Sequence, residues 1–266
     1  MSGYLTYLKT ELIVGLQYKT SAIAGLMTQF FWGMIFAFIY TAFYSHASID
    51  TINLEELMSY VWLGQAFFAL TYLGLKDTEI INSIKNGTVA YELCRPYDLY
   101  SWWYIKVLAK RYSAVLLRCA PIILVSIFLP YPYNLASPDG IFAFLLFLIS
   151  LLLGSFVTTA INMIVHTLSF YTMQDKGVSS IICTIGNLVG GLILPLPLLP
   201  AIINSLGEYL PFRLIGDLSF RVYSGNIGIR YALESIGLQF IWIILLILFG
   251  KVLMKNALKK VCIQGG

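Results

Sequence analysis

The sequence predicts an all-α polytopic membrane protein, and three observations carry this prediction. Apolar residues make up 59% of the 266 residues and charged residues only 11%, where a soluble domain carries about 25% charged residues. The uncharged residues come in long blocks, with 30 between Lys19 and Asp50 and 35 between Asp139 and Asp175. Blocks such as 141–154 show no alternation of polar and apolar residues, so they indicate helices rather than strands. A soluble globular enzyme and a disordered chain are both excluded.

The uncharged blocks define six predicted membrane spans. A spanning helix needs about 20 mostly apolar residues to cross the hydrocarbon core. Five blocks reach or nearly reach this length alone, and the last does so if its terminal charges extend back to the interface. The predicted spans are 21–43, 57–75, 109–130, 141–167, 178–198 and 231–254.

The distribution of basic residues predicts the orientation of these spans. Thirteen of the 17 Lys and Arg residues fall in segments 1–20, 76–111, 168–177 and 251–266, and the loops 44–56 and 131–140 contain none. Positively charged loops stay on the cytoplasmic side, so we expect both termini to be cytoplasmic. The net charge of +4 then reflects topology and does not indicate nucleic-acid binding.

Residues 1–20 predict an amphipathic helix at the membrane interface. Leu5, Leu8, Leu12 and Leu16 fall on one helical face at steps of three or four residues. The segment lacks the basic start, short apolar core and small-residue cleavage site of a signal peptide. An ordinary amphipathic helix of a soluble protein remains the alternative.

The segment 76–111 begins with a short helix that can be read from its end signals. Asp77 is placed to cap the N-terminus, while Glu79 in the first turn and Lys85 in the last match the helix dipole. Asn86 followed by Gly87 predicts its end.

The same helix carries one apolar stripe, Ile80, Ile81 and Ile84. A helix of about ten residues is not stable alone, so this stripe must pack against something. Arg95-Pro96 then breaks the chain before the next helix. The segment can be a simple connector, but its length and ordered signals favour a docking surface for a cytoplasmic partner.

Catalytic motifs are absent from the sequence. There is no HExxH, no GxSxG, and no GxxxxGK[ST] phosphate-binding loop. The four cysteines, Cys94, Cys119, Cys183 and Cys262, form no CxxC pair, so we expect neither disulfides nor a metal site. Arg118 is the one charge about midway along a predicted span, whereas the other charges within the stated bounds lie at the span ends. It lines a translocation path or a subunit interface, or else its side chain reaches back to the inner membrane surface.

The fifth span and the segment after it contain two further features. Gly186 and Gly190, spaced by three residues, permit close helix packing with Asn187 beside them, within the chain or between subunits. Prolines including Pro195 and Pro197 end the helix.

The following segment, 199–228, is too short and too charged to span the membrane again. We expect a pair of re-entrant outer helices here, or alternatively a loop at the lipid interface. A pair of such helices is placed to gate the exit of cargo, with the prolines above and with Pro211, Arg213 and Arg221.

Two motifs resemble those of a known transporter family. Residues 84–88 (IKNGT) and 93–96 (LCRP) are similar to the I-x-x-G-T and L-x-R-P signature of the daunorubicin-resistance-like permeases of ABC-2-type exporters. Residues 210–213 (LPFR) and 223–225 (YSG) resemble the segment before the last span of these permeases. The sequence departs from the family pattern at 217–219, where many members have a proline.

The resemblance implies a single permease domain over 1–266, with a cytoplasmic coupling loop at 76–105. In such exporters a coupling helix, here Asp77 to Gly87, seats in a groove of a separate ATPase subunit, and Arg95 and Pro96 position the next helix of the chain. Two permeases, identical or different, surround a central path. ATP and Mg²⁺ bind the partner ATPase and not this chain. The resemblance places the protein in the plasma membrane of a bacterial cell and makes it an exporter.

Two other function classes remain open from the residues alone. An intramembrane enzyme would need facing polar residues within the spans, and the candidates are Arg118, Asn162, His166 and Asn187. A secondary transporter or channel would need charged residues near the midplane and preferably an inverted repeat. Peptide, drug, lipid and glycan cargoes are all compatible with the sequence.

Overall fold

The computed structural model describes residues 2–17, 19–46, 51–172, 176–192 and 194–259. The predicted loop 168–177 and C-terminal segment 251–266 lie partly outside these ranges, and Cys262 lies outside them entirely. The described residues form thirteen α-helices and one 3-10 turn, Leu196–Leu198. The helices are α1 (Ser2–Gln17), α2 (Lys19–Tyr44), α3 (Leu54–Ala66), α4 (Phe68–Thr71), α5 (Thr78–Lys85), α6 (Val89–Leu93), α7 (Leu99–Leu116), α8 (Cys119–Ile127), α9 (Ile141–Thr172), α10 (Lys176–Val189), α11 (Ala201–Tyr209), α12 (Asp217–Tyr223) and α13 (Ile229–Leu258).

Three of the described helices are long and apolar enough to cross a membrane. They are Ala22–Tyr44 within α2, Ile141–Thr172 (α9) and Ile229–Leu258 (α13), and they coincide with the predicted first, fourth and sixth spans. The all-helical architecture is consistent with a helical membrane protein. The predicted spans 57–75, 109–130 and 178–198 are not continuous helices: the first two are divided, and the third ends early.

A proline explains why the third predicted span is divided into two helices. Helix α7 ends at Leu116 and α8 begins at Cys119. Pro121 has no N–H, and its ring clashes with the carbonyl of the residue four positions earlier, Leu117, in a continuous helix. The chain therefore breaks at Leu117 and Arg118, which the apolar pattern of the segment does not reveal.

The other two interruptions occur at different kinds of residue. Phe67 separates α3 from α4, and its N–H donates to the Leu63 carbonyl, without a proline nearby. Helix α10 ends at Val189, because Gly191 adopts a positive φ of 74° that glycine reaches without steric cost. The helix thus stops before the prolines that the sequence analysis took as its end.

A helix, α1, is present over the predicted N-terminal segment, and it packs on α7. The Tyr4 and Tyr7 rings lie 5.9 and 4.9 Å from the Trp102 ring at the start of α7. Leu8 and Leu12 are half-buried, whereas Leu5 remains exposed. The helix is therefore attached to the bundle on one side and presents apolar residues outward on the other.

Helix α9 lies at the centre of the bundle, in contact with α7, α12 and α13. Its Gly154 permits the closest approach, since a Cβ there would lie 2.3 Å from the Ile215 carbonyl oxygen. Gln239 of α13 donates to the carbonyls of Ser150 and Leu214 at 2.9 and 2.8 Å. The end of the bundle that carries α5 and α6 is called the base below, and the end that carries α11 and α12 the far end.

Candidate functional site

The short helix predicted after residue 76 is confirmed as α5. The Asp77 carboxylate accepts hydrogen bonds from the backbone N–H groups of Glu79 and Ile80 at 2.9 and 3.2 Å. Lys85 lies in the last turn, and Gly87 follows with φ of 71°. The residues that predict the ends of this helix lie within it or next to it, and the structure agrees with each of them.

The apolar stripe of α5 packs on the same chain. Ile80, Ile81 and Ile84 are all buried, and Ile80 and Ile84 belong to a cluster with Trp103 of α7 and Met163 of α9. The requirement for a packing partner is therefore met internally, and these three side chains are not free to contact another protein. The outward surface of the predicted coupling segment is a different set: Glu79, Asn82, Lys85, Gly87, Tyr91, Arg95 and Pro96.

Glu79 and Asp77 join α5 to α7 through two lysines. Lys106 Nζ lies 2.8 Å and Lys110 Nζ 3.1 Å from the Glu79 carboxylate. Lys110 also lies 3.0 Å from the buried Asp77 carboxylate. Hydrogen bonds from Lys106 and Lys110 lower the pKa of Glu79 from 4.5 to about 2. Any stability from this ionised group is complete above about pH 4.5 and is lost as the pH falls towards 2.

Two side chains of α9 hold the backbone just before α5. His166 Nε2 accepts the Asp77 N–H at 3.1 Å, which places the proton of a neutral imidazole on Nδ1. Asn162 donates to the Leu75 carbonyl at 2.6 Å. The sequence analysis had no signal for either contact, because the partners are backbone groups about 90 positions away.

Arg111 completes this arrangement from α7. Its guanidinium is buried and donates to the carbonyls of Ala69, Tyr72 and Leu75 at 2.7, 3.1 and 3.3 Å. These carbonyls lie at and beyond the end of α4, where helical partners are missing. We call residues 72–77, with the side chains of Arg111, Asn162 and His166 that hold them, the base junction. Arg111 belongs to the basic segment 76–111 in the sequence, and its burial against these carbonyls is visible only in the structure.

Arg118, the buried charge that the sequence analysis singled out, lies elsewhere. It is half-buried in a small cleft with Glu11, Gly15 and Lys110. A Cβ on Gly25 would lie 2.4 Å from its guanidinium carbon, so the group rests directly on the α2 backbone. Arg118 is therefore at the junction of α1, α2 and α7. Arg111, together with two charged groups at the far end, is more deeply buried.

The far end buries one acidic and one basic group of the predicted outer segment 199–228. Asp217 is fully buried, accepts from Tyr60 Oη at 3.0 Å and pairs with Arg221 at 3.5 Å. Arg213 is also buried and donates to the hydroxyls of Tyr231 and Ser235. The predicted pair of helices in 199–228 is present as α11 and α12.

The remaining predicted residues pack between these two ends. A Cβ on Gly186 would lie 2.3 Å from Leu73 Cδ1, and one on Gly190 would lie 2.8 Å from the Phe212 carbonyl oxygen. Both glycines therefore serve close packing within this chain. Pro195 and Pro211 are buried, and Pro197 is half-buried.

A cavity of about 480 Å³ separates α2 and α3 from the end of α10 and from α12. Of the predicted path and gate residues, Asn187 and Pro195 line it. Gln29 and Gln65 also line this cavity, and the sequence analysis missed both. The available signal was an amide side chain within a long apolar run, which is uncommon in a membrane helix.

Comparison with known proteins gives one match that covers most of the chain. The family model described as ABC-2 family transporter protein matches residues 29–265. No curated protein matches the chain at a significant level.

Proposed function

The chain belongs to the ABC-2 family of transporter proteins, and from that premise we propose that it is the permease subunit of an ATP-driven exporter. It forms the substrate path and is driven by a separate ATPase chain, which binds ATP and Mg²⁺. The family is one of membrane transport subunits, and this agrees with the long apolar helices α2, α9 and α13.

In this proposal the chain has six spans and cytoplasmic termini in the plasma membrane of a bacterial cell. The divided segments α3–α4 and α7–α8, together with α10, supply the second, third and fifth spans. Irregular backbone is tolerated at membrane depth when protein groups satisfy it, as Arg111 does for the carbonyls after α4. Helix α1 lies at the inner interface, α11 and α12 close the outer end, and a second permease, identical or different, completes the path.

The observation that carries the proposal is the attachment of α5 to the rest of the helix bundle. Three independent contacts tie its first residues to the bundle: Lys110 on the Asp77 carboxylate, His166 on the Asp77 N–H, and the buried Ile80. A force on the exposed side of α5 is therefore passed directly to α7 and α9. This is the mechanical requirement for a subunit that is moved by a separate motor.

The ATPase contact is assigned to the exposed side of α5 and α6. Tyr91 is a large apolar side chain there that is 76% exposed, and Asn82 and Lys85 extend the same outward surface. The buried isoleucines act indirectly, by fixing α5 on α9. Arg95 and Pro96 lie at the edge of this surface, after α6, and turn the chain towards α7.

The test compares two equally exposed tyrosines. The chain is co-expressed with a candidate P-loop ATPase chain from the same organism, purified and reconstituted into liposomes. Tyr91→Ala should lower ATPase co-purification at least tenfold, whereas Tyr209→Ala, 75% exposed at the far end, should retain it. Equal co-purification with both variants would contradict the assigned contact. Transport driven by an ion gradient, with no ATPase present, would contradict the proposed function and favour a secondary transporter.

A further inference from the structure

The cavity between α2, α3, α10 and α12 has the size and lining of a small-molecule site. Ligand pockets enclose roughly 300–1,000 Å³ and are lined mainly by apolar and aromatic side chains with a few polar groups. This cavity measures about 480 Å³, and its aromatic walls include Trp32, Phe36, Phe68, Tyr72 and Phe220. Trp32 is half exposed, so it marks an open edge of the cavity.

Among the residues that the structure describes, those lining the cavity include no charged side chain. The nearest buried carboxylate, Asp217, lies behind Tyr60 and is already engaged by that hydroxyl and by Arg221. A charged ligand would lose its hydration without meeting a free opposite charge, which costs several kcal/mol (about 2–7 even for a neutral polar group without a partner). The cavity is therefore suited to an uncharged molecule.

Three carboxamides at this cavity lack hydrogen-bond partners among the described residues. They are the side chains of Gln29, Gln65 and Asn187, and the carbonyl oxygens of Gln29 and Asn187 are buried as well as unpaired. Gln29 is only 7% exposed. An unpaired buried polar group costs about 1–3 kcal/mol, so the two buried oxygens of Gln29 and Asn187 mark a site where another molecule can supply the missing bonds.

Several hydroxyl groups around the same cavity are hydrogen-bonded within the chain. Thr28 Oγ1 donates to the Ala24 carbonyl at 2.9 Å, and Tyr60 Oη donates to the Gly191 carbonyl at 2.8 Å. Thr71 Oγ1 lies 3.4 Å from the Phe68 carbonyl oxygen. These three hydroxyl groups thus have partners within the chain, whereas the carbonyl oxygens of Gln29 and Asn187 do not.

We propose that this cavity binds an uncharged, flat aromatic molecule that carries a hydroxyl or amide group, and that such molecules are the cargo. The ring system stacks among the aromatic walls. A hydroxyl both donates and accepts, so it pairs with a carboxamide in either orientation of its oxygen and nitrogen. The identification as cargo rests on the proposed transport function, whereas the binding site itself does not.

The test uses three pyrene probes that differ only in their substituent. Pyrenemethanol carries the hydroxyl, methylpyrene lacks it, and the third probe carries a quaternary ammonium group. The full chain is placed in phosphatidylcholine nanodiscs without the ATPase, and energy transfer from tryptophan to pyrene is titrated. Pyrenemethanol should give a saturable component that Trp32→Phe diminishes, and the other two probes should give only the linear signal of partitioning into lipid.

Substitution of the amides then separates the site from the surrounding lipid. The double variant Gln29→Leu/Asn187→Leu should bind pyrenemethanol roughly tenfold more weakly, the loss of one or two ordinary hydrogen bonds. Gln17→Leu, on the exposed side of α1, should leave binding unchanged. The single variant Gln29→Leu provides the same comparison with less change to the cavity.

Three results would overturn the assignment. These are saturable binding of methylpyrene as tight as that of pyrenemethanol, equally tight binding of the ammonium probe, or unchanged affinity in the double variant. None of these outcomes bears on ATPase association, which Tyr91→Ala tests separately. Failure of the cavity assignment is thus distinguishable from failure of the proposed function.

Discussion

The base junction and the cavity both adjoin Tyr72 at the end of α4, yet their polar side chains differ in what they bind. At the base junction, Arg111, Asn162 and His166 each engage a backbone group left without a helical partner. Around the cavity, the amides of Gln29 and Asn187 engage nothing within the described chain. Arg111 Nε, Asn162 Oδ1 and His166 Nδ1 are themselves buried without a partner in the described chain, so the difference lies in the backbone groups that these side chains hold. Hydrogen bonds to several backbone groups fix one backbone conformation, whereas the unpaired amides at the cavity are available to a second molecule. The base junction is therefore suited to transmit movement between helices, and the cavity is suited to bind and release a ligand.

Removal of the Arg111 guanidinium should cause the largest loss of folding stability. Arg111→Met fills a similar volume but leaves the carbonyls of Ala69 and Tyr72 without this donor, while the Leu75 carbonyl keeps its hydrogen bond from Asn162. At about 1–3 kcal/mol for each unsatisfied group, we expect a loss of roughly 3–5 kcal/mol of folding stability. Thermal unfolding of the purified chain in detergent measures it.

Arg230→Met is the matched control, since the Arg230 side chain is 95% exposed and pairs only with Glu234 among the described residues. This substitution should shift the unfolding midpoint very little. If Arg111→Met unfolds at the same temperature as the control, the base junction is not held as described, and its contrast with the cavity disappears.

Substitutions at Asp77 should cause an intermediate loss of folding stability. They separate the contribution of its N-cap from that of its ion pair with Lys110. Asp77→Ala removes both the N-cap and the ion pair with Lys110, and should cost about 1–2 kcal/mol. Asp77→Asn retains a capping oxygen and loses only the charge, so it should cost less. Amide hydrogen exchange across α5 reports this directly: Asp77→Ala should accelerate exchange at Glu79 and Ile80 more than Asp77→Asn does. Equal exchange in the two variants would show that the cap does not hold the helix.

The sequence predicted α5 and its ends because capping residues, dipole charges and the Asn86-Gly87 stop act within a few positions. It predicted the three long helices for a similar reason, since an uncharged run is visible without knowledge of the fold. The burial of Arg111 was not predictable in this way. Which arginine is buried depends on where free carbonyls arise, and these arise at and beyond the end of α4, about 40 positions away.

The same limit explains the cavity and the position of Arg118. Pro121 does indicate a break in the third predicted span, but nothing local shows that the guanidinium at this break rests on Gly25 of another helix. Gln29 and Gln65 are visible as polar residues in apolar segments. Whether such an amide finds a partner is decided by the packing of α2 and α3 against α10 and α12.

The smallest expected change in folding stability is that of Gln29→Leu at the cavity. The same substitution at Gln239 serves as the comparison. Gln239 is fully buried and donates to the carbonyls of Ser150 and Leu214, so Gln239→Leu should cost about 1–3 kcal/mol. Gln29 is almost as buried but has no partner in the described chain, so Gln29→Leu removes an unsatisfied amide and should be neutral or slightly stabilising. Thermal unfolding of the two variants, without added ligand, gives the comparison. A Gln29→Leu variant destabilised as much as Gln239→Leu would mean that Gln29 is a structural amide like Gln239. A stable Gln29→Leu variant would show that the Gln29 amide is not needed for folding, which leaves a ligand as the reason for its place at the cavity.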